Sequence, residues 1–168
     1  MQILQIGRLS NDVNAHLERE YGACALWQQT QSDEFLQQFG ANFELVVTSA
    51  AYGLTAAHMA MLPNLRAVCS FGVGYDSIDV AALQARGVVL SNTPDVLTDC
   101  VADLAMGMLI DVSRGISAGD RYVRAGLWGS KQRFGMGARV TGKKLGILGL
   151  GRIGLAIAER AQGFKMDI

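Results

Sequence analysis

The sequence has few of the features that mark secreted, metal-binding or membrane proteins. Its three cysteines, Cys24, Cys69 and Cys100, lie far apart and form no CxxC pair. This spacing argues against a disulfide framework and a zinc site, and it favours reduced thiols in a cytoplasm. The apolar run at 101–110 is interrupted by Asp103 and is far shorter than the roughly 20 residues that a membrane span needs. These absences predict a cytoplasmic protein with no membrane partner.

An excess of charge of one sign is missing as well. Lys plus Arg and Asp plus Glu both total 15, so the formal net charge is zero. Proteins that bind nucleic acid or anionic lipid usually carry a surplus of basic residues. Hydrophobic residues make up 50% of the chain, which is ample to form a core. The composition therefore predicts a globular protein whose partner is a small molecule and not a nucleic acid.

What the sequence does contain is an alternation of short β-rich runs with helical patterns. Five runs predict buried strands, at 3–6, 23–27, 45–48, 67–70 and 88–90. Helices are predicted between them, at 32–39 with Ser32 or Asp33 as cap, at 55–62 with Thr55 as cap, and at 79–86. This alternation predicts an α/β protein with a parallel sheet.

The segment 91–94 is the predicted boundary between two domains, 1–94 and 95–168. Pro94 imposes an extended backbone on the residue before it, and a long helix is predicted directly afterwards, at 98–118. In the second domain, a strand predicted at 145–148 leads into a glycine-rich loop and another helix. A further strand is predicted to begin within 164–168.

The glycine-rich loop has the sequence Gly149-Leu150-Gly151-Arg152-Ile153-Gly154. Between a strand and a helix, the first glycine permits a tight turn, the second lets a diphosphate approach the backbone, and the third lets helix and strand pack closely. The helix N-terminus would add N–H donors for the phosphates. This context favours a dinucleotide site over an ordinary turn. Arg152 either contacts a phosphate or is a solvated side chain at the helix start.

A second loop with two glycines, at 71–79, follows the fourth predicted strand. Its glycines allow successive backbone N–H groups to face one point, which forms a nest for a carboxylate centred on Val73 and Gly74. A plain turn in which Asp76 or Asp79 caps the next helix explains the spacing nearly as well.

These loops, together with NTPDVLTDCVADLAMGMLI at 92–110, Arg114 and KKLGILGLGRIG at 143–154, resemble the D-2-hydroxyacid dehydrogenase family, and most of all its glyoxylate, hydroxypyruvate and hydroxyphenylpyruvate reductases. The resemblance implies a flavodoxin-like parallel-sheet substrate domain, with its first segment at 1–94. It implies that 95–168 is an incomplete Rossmann dinucleotide-binding domain with a leading long helix and a dimer arm around Trp128. The implied reaction is reduction of a small 2-keto acid to the D-2-hydroxy acid by NAD(P)H in a homodimer.

The resemblance also implies roles for particular residues. The backbone of Val73 and Gly74 would hold the substrate carboxylate, and Ala51 and Tyr52 would line the substrate pocket. Thr98 would reach the nicotinamide end of the cofactor, although N-capping of the helix explains it equally well. The implied phosphate contacts are Gly149, Leu150, Gly151, Arg152, Ile153 and Gly154. NADP(H) is favoured by analogy, and NAD(H) stays possible because the position that selects between them falls at or just past Ile168.

The family's catalytic arginine, glutamate and histidine have no counterpart in these residues. His16 and His58 are expected to be surface or hydrogen-bonded histidines on helices, while Asp103 and Arg114 are expected to be structural, with Arg114 paired to Asp111. We therefore expect a piece of a longer protein that is inactive by itself. The alternative is a non-catalytic NAD(P)-binding fragment, or a corepressor-like dinucleotide sensor of the same fold.

Overall fold

Five short apolar runs pair side by side into one parallel sheet in the computed structural model of the protein, which describes residues 2–168. The strands are β1 (Gln2–Gln5), β2 (Cys24–Ala25), β3 (Phe43–Thr48), β4 (Ala67–Ser70) and β5 (Val89–Ser91). Their order is β2-β1-β3-β4-β5, and every neighbouring pair is parallel. This is the flavodoxin-like order, so the predicted α/β fold class is confirmed.

One face of this sheet carries the core. Leu4, Val46, Val68 and Leu90 are register partners across four strands, and the first three are completely buried. Register partners point to the same side of a sheet, so these side chains form one apolar row. Other buried side chains from the helices and loops pack against this row and form one core cluster with it, among them Leu36, Met59, Leu62 and Leu83.

The opposite face of the sheet is covered less completely. A cleft of about 400 Å³ lies there, with apolar side chains of α1 (Asn11–Tyr21) on one side and of the strands on the other. Its lining includes Val13, Leu17, Leu45 and Val47. The two faces of the sheet are therefore packed unequally in the first part of the chain.

The helices of this first part are α1, α2 (Ser32–Phe39), α3 (Ala56–Ala60) and α4 (Val80–Ala85). Thr55 Oγ1 accepts a hydrogen bond from His58 N over 3.2 Å, which confirms the predicted cap of α3. Asp79 Oδ1 accepts from Ala82 N over 3.0 Å and so is the cap of α4. The predicted cap of α2 is wrong, because Gln31 holds that position with φ of 57° and makes no side-chain capping bond.

The second strand is shorter than the prediction of 23–27. Only Cys24 and Ala25 pair with β1, and Leu26–Gln28 form a turn of 3₁₀ helix that buries Leu26. An edge strand has a neighbour on one side only, so few hydrogen bonds hold it extended.

The chain divides into two units, Met1–Pro94 and Asp95–Ile168, and the second contains α5 (Thr98–Arg114), α6 (Ile116–Arg124) and α7 (Arg152–Gly163). The prediction of one helix over 98–118 is wrong. Gly115 has a left-handed φ of 65°, which ends α5 and starts α6. No helix among residues 2–168 is long and apolar enough to cross a membrane.

The break at Gly115 is stabilised by Asp111, whose carboxylate accepts from both the Oγ and the N–H of Ser117, each over 2.6 Å. These two bonds hold the pKa of Asp111 below its usual value. The predicted pairing of Arg114 with Asp111 is wrong, because no ion pair joins them in the described part of the chain. The carboxylate instead bonds the first turn of the next helix.

The strand predicted at 145–148 does not form as a ladder. A single bridge joins Lys144 to Asp167, with Leu145 N donating to Asp167 O over 2.8 Å. Leu148 is fully exposed. A strand needs a hydrogen-bonded neighbour along its length, and within residues 2–168 only the segment around Asp167 provides one. The strand predicted within 164–168 is reduced to the same bridge.

Arg86 joins the end of α3 to α4. Its guanidinium donates to the carbonyl oxygens of Met59, of Leu62 over 2.7 Å and of Pro63 over 3.2 Å. These carbonyls lie at and just after the end of α3, where regular helical hydrogen bonds stop, and Met59 O and Leu62 O also accept from the N–H groups of Leu62 and Leu65. One side chain therefore satisfies several main-chain acceptors.

Replacement of this guanidinium should destabilise the protein. Arg86→Ala is expected to lower the free energy of unfolding by about 1–3 kcal/mol, because it removes the hydrogen bonds that a charged guanidinium donates to three main-chain carbonyls. The matched control is Arg66→Ala, since Arg66 makes one exposed contact to Glu44 over 3.3 Å. The control should cost less than about 1 kcal/mol in urea denaturation. Equal losses in the two variants would contradict this role of Arg86.

Candidate functional site

The candidate substrate site lies at the carboxyl edge of the five-stranded sheet. The strand order reverses between β1 and β3, and ligands of open α/β sheets bind outside the carboxyl ends of strands at such a reversal. Three segments follow strands at this edge: Gly7 after β1, the loop 49–53 after β3 and the loop 71–79 after β4. The fold thus brings the two predicted substrate loops to one edge.

Hydrogen bonds hold these two loops side by side. Ser77 Oγ donates to Ala50 O over 2.6 Å, and Leu54 N donates to Ser77 O over 3.1 Å. A Cβ placed on Gly74 would lie 3.6 Å from the Cβ of Ala50, which is ordinary van der Waals contact. The loop with Ala51 and Tyr52 and the loop with Val73 and Gly74 therefore form one local structure.

Val73 and Gly74 present unpaired donors at this edge. Among residues 2–168, neither backbone N–H donates to any acceptor, and both residues are half-buried. Backbone N–H groups that are not paired in the protein are available to an anion. The local geometry therefore suits the predicted carboxylate nest.

Tyr52 lies across the end of β1. Its side chain is 49% exposed, and a Cβ placed on Gly7 would lie only 2.1 Å from the Tyr52 ring. The Tyr52 N–H and the Gly53 N–H both donate to Ser49 O, over 3.1 and 2.8 Å, which fixes the turn that presents the ring. Ala51 is exposed beside it. Gly7 was not among the predicted site residues, although a glycine directly after the first predicted strand is a signal for such a position.

The three glycines of the second loop each meet a different local requirement. Gly149 has φ of 93°, a conformation that favours glycine. A Cβ on Gly151 would have nothing within 4 Å, whereas one on Gly154 would lie 2.1 Å from Gly149 O and 3.5 Å from the Ile147 side chain. The backbone is therefore tightly packed at Gly154, whereas the space beside Gly151 is unoccupied, which fits the approach of a diphosphate to Gly151.

Helix α7 begins directly at this opening. The backbone N–H groups of Arg152, Ile153 and Gly154 have no acceptor in the part of the chain that the structure describes. The side chain of Arg152 is 65% exposed, and its Nε lies 2.9 Å from Asp95 Oδ1. N–H donors, a helix N-terminus and a guanidinium together fit an anionic group. Leu150 is 62% exposed at the rim.

Thr98 is the first residue of α5 and is half-buried. The capping position is Leu97, and the helix has no side-chain capping bond, so N-capping by Thr98 is wrong. Asp103 accepts from Arg160 Nε over 2.6 Å, and Asp99 accepts from Arg160 Nη2 over 2.9 Å. These bonds raise the pKa of Arg160 and join α5 to α7, which gives Asp103 a structural contact.

The two histidines lie outside the candidate loops. His16 is exposed on α1, where its ring packs edge-on against Tyr21 at 5.7 Å between centroids. His58 lies half-buried on α3, and within residues 2–168 its buried Nδ1 has no hydrogen-bond partner. Residues 2–168 contain no cluster of three His, Cys, Asp or Glu side chains that could hold a metal ion.

Comparison with known proteins gives a consistent result along the chain. Residues 3–163 match the family described as D-isomer specific 2-hydroxyacid dehydrogenase, catalytic domain. Glyoxylate/hydroxypyruvate reductase A of Arabidopsis thaliana is 38% identical over 166 residues, which cover 99% of this chain and 53% of the relative. The chain therefore spans about half the length of the curated relatives it matches.

Solved structures agree with this similarity. The 2-hydroxyacid dehydrogenase of Ketogulonicigenium vulgare Y25 has a TM-score of 0.88 at 36% identity, over 98% of this chain and 52% of that one. The NADPH-dependent glyoxylate/hydroxypyruvate reductase of Sinorhizobium meliloti, in complex with NADP and malonate, has a TM-score of 0.80 at 32% identity, over 99% of this chain and 51% of that one.

The close contact beneath Gly154 makes a local prediction. Gly154→Ala is expected to lower the free energy of unfolding by about 1–3 kcal/mol, because the new methyl group would collide with the Gly149 carbonyl. The control is Gly163→Ala at the other end of α7, where a Cβ meets nothing within 4 Å. Urea denaturation should show the control unchanged or slightly stabilised. A Gly154→Ala variant as stable as the control would contradict the tight turn.

Proposed function

The chain belongs to the D-isomer specific 2-hydroxyacid dehydrogenase family, and from this membership we propose that the intact protein reduces a small 2-keto acid, such as glyoxylate or hydroxypyruvate, to the D-2-hydroxy acid. The observation that carries the proposal is a pair of loops with unpaired backbone N–H groups. The Val73–Gly74 loop suits a carboxylate, and the loop 149–154 suits a diphosphate. A 2-keto acid and a dinucleotide are the ligands that this combination would take.

The proposed substrate contacts begin at the carboxylate. Two N–H groups, of Val73 and Gly74, donate to it, and hydrogen bonds to an ionised acceptor are stronger than those between neutral groups. Ala51 and Tyr52 line the pocket beside it, with the Tyr52 ring shielding the carboxyl end of β1 from water. Malonate in the Sinorhizobium meliloti relative supports a carboxylate ligand for a protein of this family.

The dinucleotide supplies the hydride that goes to the keto carbon. Its diphosphate would be held by the N–H groups at 151–154 and by Arg152, and Thr98 would contact the nicotinamide end. We favour NADP(H) over NAD(H), and the support is the NADPH dependence of the Sinorhizobium meliloti relative.

The reaction also needs a proton for the carbonyl oxygen, and we propose that residues 1–168 by themselves are inactive. His16 and His58 lie on α1 and α3 and not on the loops at the sheet edge. A general acid has to lie within hydrogen-bond distance of the atom it protonates. The arginine, glutamate and histidine of the family would complete the site in the intact protein.

We further propose a homodimer in the cytoplasm. Leu104, Met108 and Val112 lie at four-residue spacing on α5 and are 63%, 59% and 83% exposed, and Trp128 is 79% exposed. An exposed apolar stripe of this kind supports a subunit interface. The three cysteines are free thiols, which supports a reducing compartment.

A dinucleotide sensor without catalysis is the second candidate, because the loop 149–154 would serve it equally well. The nest at Val73 and Gly74 favours the enzyme, since a sensor has no need of a carboxylate site. Assay of the intact protein with glyoxylate or hydroxypyruvate distinguishes the two.

The carboxylate nest is tested at Gly74. Gly74→Ala should fold normally, because its Cβ makes only ordinary contacts, while Gly74→Leu should cover the two N–H donors. Gly74→Leu is expected to raise the KM for the keto acid in the intact protein by roughly tenfold or more. The KM for the dinucleotide serves as the internal control and should not change. An unchanged KM for the keto acid would remove this role.

The cofactor preference is tested by steady-state rates with NADPH and NADH on the intact protein. We expect kcat/KM to be higher with NADPH by roughly tenfold or more. NADPH differs from NADH by a 2′-phosphate on its ribose, and hydrogen bonds from the protein to that phosphate would add binding free energy. A clear preference for NADH would overturn NADP(H) and leave the reduction reaction in place. No reduction with either cofactor would favour the sensor.

A further inference from the structure

The segment Asn92–Thr93, which follows β5, is hydrogen-bonded to the loop that carries the candidate carboxylate nest. Asn92 Nδ2 donates to Val73 O over 2.9 Å. Thr93 N donates to Gly72 O over 3.0 Å, and Thr93 Oγ1 accepts from Gly72 N over 3.1 Å. Three hydrogen bonds therefore join two short segments that lie about 20 residues apart in the chain.

Two of these bonds engage the peptide groups that contain the N–H groups of Val73 and Gly74. The Gly72 carbonyl belongs to the same peptide group as the Val73 N–H, and the Val73 carbonyl to the same group as the Gly74 N–H. For each N–H that would bind the carboxylate, the carbonyl of the same peptide group thus accepts a hydrogen bond from Asn92 or Thr93. A hydrogen bond accepted by a carbonyl polarises its peptide group and makes the N–H a stronger donor.

The loop also needs an anchor because of its conformation. Gly72 has φ of 125°, and glycines keep many accessible conformations unless other groups restrain them. Asn92 Nδ2 is the one donor to Val73 O within residues 2–168. At Gly74, Ser70 Oγ donates to the carbonyl over a long 3.5 Å. The orientation of the Val73–Gly74 peptide therefore depends chiefly on Asn92.

We propose that Asn92 is a positioning residue for the substrate carboxylate, and that it acts through the Val73–Gly74 peptide without touching the substrate. Thr93 restrains the Gly72–Val73 peptide through its backbone N–H and the preceding Phe71–Gly72 peptide through its hydroxyl. The inference rests on the proposed function, because it takes the N–H groups of Val73 and Gly74 as the carboxylate donors. It gives Asn92 and Thr93 a role in substrate affinity, beyond their place in the connection between the two units.

The test uses Asn92→Ala in the intact protein, with malonate as the carboxylate probe. Isothermal titration calorimetry in saturating NADPH should show the Kd of malonate raised by roughly three- to tenfold, the loss expected for one hydrogen bond. The glyoxylate KM should rise in parallel, while the Kd of NADPH measured without malonate stays unchanged. Asn92→Asp should lose more affinity, because a carboxylate cannot donate to Val73 O and repels the ligand.

The matched control is Asn64→Ala. Asn64 Nδ2 donates to a backbone carbonyl too, that of Ala41 over 2.7 Å, but on loops that precede β3 and β4 and so lie at the opposite edge of the sheet. Asn64→Ala should leave the Kd of malonate within about twofold of that of the original protein, even where it lowers stability as much as Asn92→Ala does.

Thr93 provides a second test that does not depend on the Asn92 variants. Thr93→Val has nearly the shape of threonine and keeps the backbone bond to Gly72 O, but it cannot accept from Gly72 N. The Phe71–Gly72 peptide then loses its restraint next to the nest, so the Kd of malonate should rise. Thr93→Ser keeps the hydroxyl, so its Kd for malonate should equal that of the original protein.

Two results would overturn the inference. If malonate binds Asn92→Ala as well as the original protein while Gly74→Leu weakens it, the nest exists but Asn92 does not position it. If Asn92→Ala and Gly74→Leu both leave malonate binding unchanged, the carboxylate site of the proposed function fails as well.

Discussion

The parallel register of β1, β3 and β4 is the constraint on which the first unit depends. Leu4, Val46 and Val68 are buried as one row across these strands, and a slip of one residue in any strand would turn its apolar side chains to the other face. The same register brings the carboxyl ends of the strands to one edge. Core packing and the placement of the candidate substrate loops are therefore two results of one hydrogen-bond pattern.

At this edge, and again at the start of α7, the structure leaves backbone N–H groups unpaired. Most backbone donors in a folded protein are paired, so an unpaired group indicates either solvent or a ligand. The unpaired donors of Val73 and Gly74 belong to peptide groups whose carbonyls are bonded by Asn92 and Thr93. Those of 152–154 follow the glycine loop. The two anion sites that we propose thus share one physical principle, the restraint of a short main-chain segment with its N–H groups turned outward.

Much of the fold was predictable because it depends on local patterns. The strand at 67–70, the caps Thr55 and Asp79, and the α/β class follow from the alternation of apolar runs with capped helices. The break at Gly115 was missed, because a glycine within a helical pattern is usually tolerated and the Asp111–Ser117 bonds that stabilise the break span six residues. The strand at 145–148 failed because its apolar pattern says nothing about whether a partner strand lies alongside.

The sequence by itself determined the family, the glycine loop 149–154 and the glycines at 72 and 74, because each depends on residue types at short, fixed spacing. Only the tertiary structure decided which groups surround them. In the folded protein the Tyr52 ring packs against Gly7, and Arg152 forms an ion pair with Asp95. Asn92 and Thr93 donate hydrogen bonds to the carbonyls of Val73 and Gly72. These contacts join residues that are distant in the chain, and they form only when parallel strand pairing, or helix packing in the second unit, brings the segments together.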